Sequence, residues 1–189
     1  MNQLNEYSKI SEVAIRSPLS SFVNDEKITN EWASLRFHAK PDLKKAIIEY
    51  NYFRSFLEED GIKIIELPSS DRLTLDSIYT RDSILVCDSG VILCNMGRSS
   101  RTPEAEENFK TLANKGYKIA GQIKSPGTLE GGDFIWIDNK NAAVGLGPRT
   151  NSEGIRQLKE ILGSKINLQI VKLPDPEGCS ICVSPPQAI

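Results

Sequence analysis

The chain has 189 residues, a formal net charge of -2, 39% hydrophobic residues and 25% charged residues. That balance is ordinary for a water-facing globular protein, and it argues against generic nucleic-acid binding, which usually needs a basic face. No run approaches the roughly 18 apolar residues of a membrane span, and four cysteines in a chain of this size do not make a disulfide scaffold.

The N-terminal MNQLNEYSKISEVAI lacks a basic region followed by an apolar core, so no secretory signal is read there and a reducing, cytoplasmic setting is expected. Residues 11–17, SEVAIRS, read as a first strand, followed by a polar, irregular stretch to Pro41. Asp42 opens a helix in which Leu43, Ile47, Tyr50, Phe53 and Leu57 recur at helical spacing and Gly61 stands at the C-terminal stop. Residues 62–67 form a strand. Residues 83–87 and 91–95 make a hairpin around Asp88-Ser89-Gly90. Thr102 is the expected N-cap of the next helix, with Pro103 at its first position and Gly116 at its end. A strand over 117–120 follows. A second hairpin, 134–138 with 142–146, turns at Asn139-Lys140. A helix from about Ser152 to Leu162 and a strand over 166–173 complete the pattern.

Asp82 begins one stretch and Asp133 another, 51 positions later. Each stretch runs acid, hairpin, glycine (Gly97 or Gly147), arginine (Arg101 or Arg149), helix, strand. A recurring supersecondary unit of this length points to a stacked or propeller-like α/β array; two ordinary hairpin–helix segments are the plainer reading. In an array, Asp82 and Asp133 occupy equivalent strand mouths, and their carboxylates join Glu130 around a shared space.

The residues themselves allow two readings. Glu130 and Asp133 flank Gly131-Gly132, whose backbone tolerates positive φ or close approach to a ligand; the alternative is a turn with solvated acids. Asp76 and Asp82 are either turn or cap acceptors or ligands for a cation. Arg149 faces a helix start, where a cation is electrostatically unfavoured, and so reads as an anion site. Arg101 has Arg98 close by and carries a weaker signal, and Arg81 fits a structural ion pair. Two planar carboxylates match the donor fork of a guanidinium. Paired acids with nearby arginines therefore suit a zwitterionic, arginine-like small molecule.

Three motifs, LDSIYTRDS (75–83), LEGGD (129–133) and GLGPRTNSEG (145–154), together resemble the guanidino-modifying pentein superfamily of arginine deiminases, amidinotransferases and dimethylarginine dimethylaminohydrolases. The resemblance runs from about Glu12 to Pro174, with Arg101-x-x-Glu104 between the motifs. It implies a five-bladed α/β propeller of ββαβ modules, of which this chain supplies about three blades. The expected domains are a partial catalytic propeller over 1–174 and an irregular tail over 175–189. The resemblance implies that Asp82 and Glu130 bind the substrate guanidinium. Glu130 would also orient the catalytic histidine, Asp76 contact the substrate amine, and Arg101 and Arg149 hold the substrate carboxylate. The implied activity is hydrolysis of arginine or N-methylated arginine to citrulline through a covalent cysteine intermediate. No metal or cofactor is implied. At position 81 the chain has arginine where the hydrolases that share the Asp76 spacing carry an acid.

The reaction also needs a histidine and a cysteine that match no motif here. The single histidine, His38, lies in RFHAKPD and reads as a loop residue. Cys87 and Cys94 read as small core residues, and Cys179 with Cys182 makes a C-x-x-C that lacks further metal ligands. The chain is thus read as an incomplete guanidino hydrolase, with a non-catalytic binding or regulatory protein of the same fold as the alternative. An open propeller has unpaired edges, which predicts marginal stability, aggregation or homo-oligomers.

Overall fold

The structure is a computed structural model that describes residues 4–174. The residue contacts divide the chain into two compact units. The first comprises Met1–Tyr7, Arg81–Ser99 and Tyr117–Ile189, and the second Ser8–Thr80 and Ser100–Gly116.

The first unit holds two three-stranded sheets of the same design. Strands β3 (Ile84–Cys87) and β4 (Gly90–Leu93) form an antiparallel hairpin, and β5 (Ile119–Gln122) lies parallel to β4. Strands β6 (Phe134–Asp138) and β7 (Asn141–Leu146) repeat the hairpin, and β8 (Asn167–Lys172) lies parallel to β7. Two strands joined by a tight turn pair antiparallel, whereas a strand that returns after a helix can pair parallel. The order hairpin, helix, strand read from the sequence therefore becomes one sheet each time.

Alternation along the strands sends Leu85, Ile92, Phe134, Trp136, Ala142 and Val144 into a common core. Helix α5 (Ser152–Leu162) closes on it with Ile155 and Leu158, three positions apart on one face. Leu158 is fully buried. Leu158→Ala costs about 2–5 kcal/mol on the ordinary scale for core truncation. Asn151 caps α5: its side-chain oxygen accepts the Gly154 N–H at 2.8 Å and the Thr128 N–H at 3.0 Å, and its amide donates to the Pro126 carbonyl at 2.8 Å. Position 154 must be glycine, because a Cβ there would lie 2.0 Å from the Thr128 carbonyl oxygen.

The second unit contains the parallel pair β1 (Glu12–Ile15) and β2 (Lys63–Glu66), with α3 (Leu43–Glu59) between them in sequence. The Asp42 side chain caps α3 by accepting the Lys45 N–H at 3.0 Å, as its position in the sequence predicts. The stretch before Pro41 is not irregular throughout. It forms a short turn of helix, α1 (Pro18–Ser21), and α2 (Asp25–Glu31), which Asn24 caps. Phe22 and Ile28 there pack with Leu75 into a separate small core. These helices are too short for a periodic apolar pattern to stand out in sequence. Helix α4 (Glu104–Asn114) also belongs to this unit, and its N-cap is Pro103 rather than Thr102, because a 3-10 turn over Ser99–Arg101 takes up the preceding residues.

Among the described residues the sheets are one of two strands and two of three. The β1–β2 pair lacks the leading hairpin of a ββαβ module, so the topology does not display three equal blades. The expected tail over 175–189, with Cys179 and Cys182, lies outside the described residues.

Candidate functional site

In the first unit, Asp82 ends a 3-10 turn, Thr80–Asp82, immediately before β3. Glu130 precedes the 3-10 turn Gly131–Asp133 before β6. Both acids thus stand shortly before the first strand of a sheet. Neither points into bulk water: Asp82 is 8% exposed and Glu130 0%. Both stand close enough to Cys94 that their charges, after burial itself, push its thiol pKa well above the usual value. Cys94 is therefore a neutral thiol rather than a thiolate.

Backbone contacts locate Glu130. Asn95 donates to the Gly127 carbonyl at 2.6 Å, and the Leu129 N–H donates to the Asn95 carbonyl at 2.8 Å. The Glu130 N–H donates to Thr150 Oγ1 at 3.1 Å, and that hydroxyl donates to Asp133 Oδ2 at 2.6 Å. Asp133 is accordingly a partner of Thr150. Its equivalence with Asp82 in the repeat is one of position in the chain. Gly131 brings the two turns together: a Cβ on it would lie 2.2 Å from the Arg81 carbonyl oxygen. Its φ is outside the left-handed region, so close approach is the reason for glycine there, not backbone conformation.

Arg149 and Glu130, expected to hold opposite ends of a ligand, meet one another. Arg149 Nη1 lies 3.0 Å from Glu130 Oε2, with the carboxylate buried and the guanidinium mostly so. Gly97 makes room for this arginine, since a Cβ on Gly97 would fall 2.7 Å from the Arg149 Cα. A guanidinium thus already rests against Glu130.

Asp76 and Arg101 belong to the second unit. Asp76 is buried in the 3-10 turn Leu75–Ile78. The fully buried Arg16 supports that turn by donating to the Ser77 carbonyl at 3.0 Å and to Asn108 Oδ1 at 2.6 Å. Desolvation lowers the Arg16 pKa, and the charges of Glu104 and Glu107 pull it back up. Arg101 forms a fork on Glu104, Nε to Oε1 at 2.7 Å and Nη2 to Oε2 at 2.9 Å, and donates to the Tyr79 carbonyl at 3.1 Å. Both partners are buried, so this pair is built into the second unit's interior. His38 is exposed in the same unit.

Sequence reading did not single out Arg16 or Thr150. The only sequence trace of Thr150 is its place in the PRTN segment, where it read as part of a motif rather than as the hydroxyl between Glu130 and Asp133. Arg16 sits at the end of a strand and shows no signal until its partners, 61 and 92 positions away, are known.

Comparison with known proteins gives a consistent picture. The family described as "N,N dimethylarginine dimethylhydrolase, eukaryotic" matches residues 21–174. The N(G),N(G)-dimethylarginine dimethylaminohydrolase of Pseudomonas aeruginosa is 31% identical over 138 residues, which cover 70% of this chain and 54% of that protein. The arginine deiminase of Listeria welshimeri is 26% identical over 167 residues, covering 84% of this chain and 38% of that protein. Among solved structures, a mutant dimethylarginine dimethylaminohydrolase of Pseudomonas aeruginosa complexed with citrulline superposes with a TM-score of 0.73 at 26% identity, over 88% of this chain and 62% of that one. An amidinotransferase from Microseira wollei, at 18% identity and a TM-score of 0.69, shares the fold. The chain spans about half the length of the first of these curated relatives. Its architecture is an α/β, pentein-like fold.

Proposed function

The chain belongs to the N,N dimethylarginine dimethylhydrolase family within the guanidino-modifying pentein superfamily, and we propose that it binds arginine or an N-methylated arginine in the manner of a citrulline-forming guanidino hydrolase. The observation that carries this reading is the Glu130–Arg149 ion pair: a buried carboxylate already facing a guanidinium, with Asp82 a second buried carboxylate of the same unit whose charge, like that of Glu130, acts on Cys94. A zwitterionic guanidino acid can insert into that pair. Its guanidinium takes Glu130 and Asp82, and its carboxylate takes Arg149. Glu130 and Arg149 then each exchange one opposite charge for another, which avoids the cost of leaving either unpaired. Asp76 and Arg101 belong to the second unit, where Arg101 is held by its fork on Glu104; the proposed site uses Asp82, Glu130 and Arg149 of the first unit.

The chemistry starts from a poor electrophile. Two carboxylates hold the planar cation in one orientation for attack. A cysteine thiolate adds to the central carbon, a histidine oriented by Glu130 protonates the departing amine, and activated water releases citrulline. Cys94 is a neutral, buried thiol, and His38 is exposed in the second unit. On this reading Asp82, Glu130 and Arg149 serve the binding half of the reaction. The neutral Cys94 and the exposed His38 favour, as a second reading, a protein that binds guanidino acids without turning them over.

Calorimetry with L-arginine and N,N-dimethylarginine, beside an assay of citrulline release, separates the two readings. Binding that Asp82→Asn and Glu130→Gln abolish supports the site, and citrulline release decides between them. Heats absent for both ligands would sink the proposal.

A further inference from the structure

We propose that Glu6, acting through Arg81, is a positioning residue that holds Asp82 in register with Glu130. The proposal rests on reading those two acids as guanidinium ligands. Four observations converge, all within the first unit. The Arg81 guanidinium grips Glu6 with both forks, Nη1 to Oε2 and Nη2 to Oε1, each at 3.1 Å. Its Nη2 also donates to the Phe134 carbonyl at 3.1 Å. Glu6 Oε1 accepts the Trp136 N–H at 3.4 Å. The Arg81 carbonyl oxygen lies directly over Gly131.

The geometry follows from the sheet. Strand β6 is an edge strand, because the order of its sheet is β6-β7-β8. The C=O of one residue and the N–H two positions on point to the same side of a strand, and Phe134 and Trp136 stand in that relation. Arg81 and Glu6 together provide the donor and the acceptor that an open edge needs at those two positions. The N-terminal segment lies along the same edge: the Leu4 N–H donates to Asn139 Oδ1 at 2.7 Å, and the Leu4 side chain is buried in the core. Arg81 thereby ties three pieces together, the N-terminal segment, the turn that carries Asp82, and the strand that follows Glu130. A fork of two parallel bonds fixes angle as well as distance, which a lysine at 81 could not do.

The pair is half-exposed, with side chains 46% and 41% accessible. Exposed ion pairs contribute little to global stability. Breaking this one should loosen the local register without unfolding the unit, and that separates positioning from a structural role.

The test uses Glu6→Gln and Arg81→Lys in the full chain, with Glu160→Gln on α5 as an exposed-glutamate control. Hydrogen exchange is followed by mass spectrometry in peptides covering 81–86 and 130–136, and binding of L-arginine and N,N-dimethylarginine by calorimetry. Both variants are expected to exchange about tenfold faster in those two peptides alone. They should bind about fivefold more weakly, with melting temperatures within about two degrees of the parent. The control should change none of these. If both variants exchange like the parent, the clamp is wrong, whatever the binding shows. If exchange responds but the affinities of parent and variants agree, Glu6 is structural and the positioning role is wrong. If the parent binds no guanidino acid, the proposed function fails on its own, and faster exchange then leaves Glu6 as a clamp with no site to position.

Discussion

Gly131→Ala is the sharpest test of how the two acidic turns are brought together. The new Cβ would stand 2.2 Å from the Arg81 carbonyl oxygen and 3.1 Å from Leu85 Cδ2. Ordinary carbon contacts begin near about 3.5 Å, so the Arg81 peptide or the Gly131 turn must retreat by about 1 Å. A carbonyl cannot swing aside as a side chain can, and the Leu85 side chain is itself packed in the core. Overpacking of this kind costs about 1–3 kcal/mol. Alanine recovers roughly 0.4–1 kcal/mol by restricting the unfolded chain, which leaves a net loss of about 1 kcal/mol. That is a large share of the roughly 5–15 kcal/mol that holds a domain folded. The chain has two tryptophans, Trp32 in the second unit and Trp136 in the first. In a Trp32→Phe background, fluorescence in urea reports the first unit alone, through Trp136, whose indole donates to the Val86 carbonyl at 2.9 Å. The transition should move to lower urea, and binding of arginine should weaken further than the stability loss alone would produce. A midpoint equal to or above the parent's would refute the close-approach argument and with it the account of how the two acidic turns are brought together.

Four further outcomes follow from the same contacts. Glu104→Ala leaves the Arg101 guanidinium buried without its fork and should destabilise the second unit by about 3–5 kcal/mol, read from the Trp32 transition in a Trp136→Phe background. Thr150→Val keeps the shape but removes the acceptor of the Glu130 N–H, for a loss of about 1–3 kcal/mol, while Thr150→Ser should restore most of it. The Glu153 carboxylate, hydrogen-bonded by Arg156 and then Gln157, is held down to a pKa of about 2 from 4.5. Because the folded value is the lower one, its contribution is present above the unfolded value and is lost as pH falls from about 4.5 towards 2. Carboxyl NMR titration checks this, and added salt should raise the value because the pair is exposed. Cys94, its pKa raised first by burial, should resist alkylation at pH 8 in the folded protein and react once urea unfolds the first unit, as peptide mapping would show.

Local signals carried much of this protein. The apolar spacing of α3, the Asp42 cap and the two hairpins at Asp88-Ser89 and Asn139-Lys140 depend on neighbours within a few positions, and the 51-residue repeat is the recurrence of such local patterns, so all can be read along the chain. The places of the acids were legible too, since Asp82 and Asp133 fall at repeated positions before strands and Glu130 stands three residues before Asp133. The short helices between residues 18 and 31 were missed because so few turns leave little periodicity to detect.

The partners of the charges were a different matter. Whether Arg149 faces solvent, a ligand or Glu130, whether Arg101 is offered to a ligand or locked on Glu104, and whether Arg81 serves Asp82 or Glu6 depend on which side chains share a low-dielectric space. Glu6 and Arg81 are 75 positions apart, and no pattern along the chain encodes their meeting. The chain by itself determined the strands, the repeat and the places of the acids; the packing alone decided which acid each of Arg81, Arg101 and Arg149 holds, because Coulomb and hydrogen-bond energies depend on distances that only folding sets.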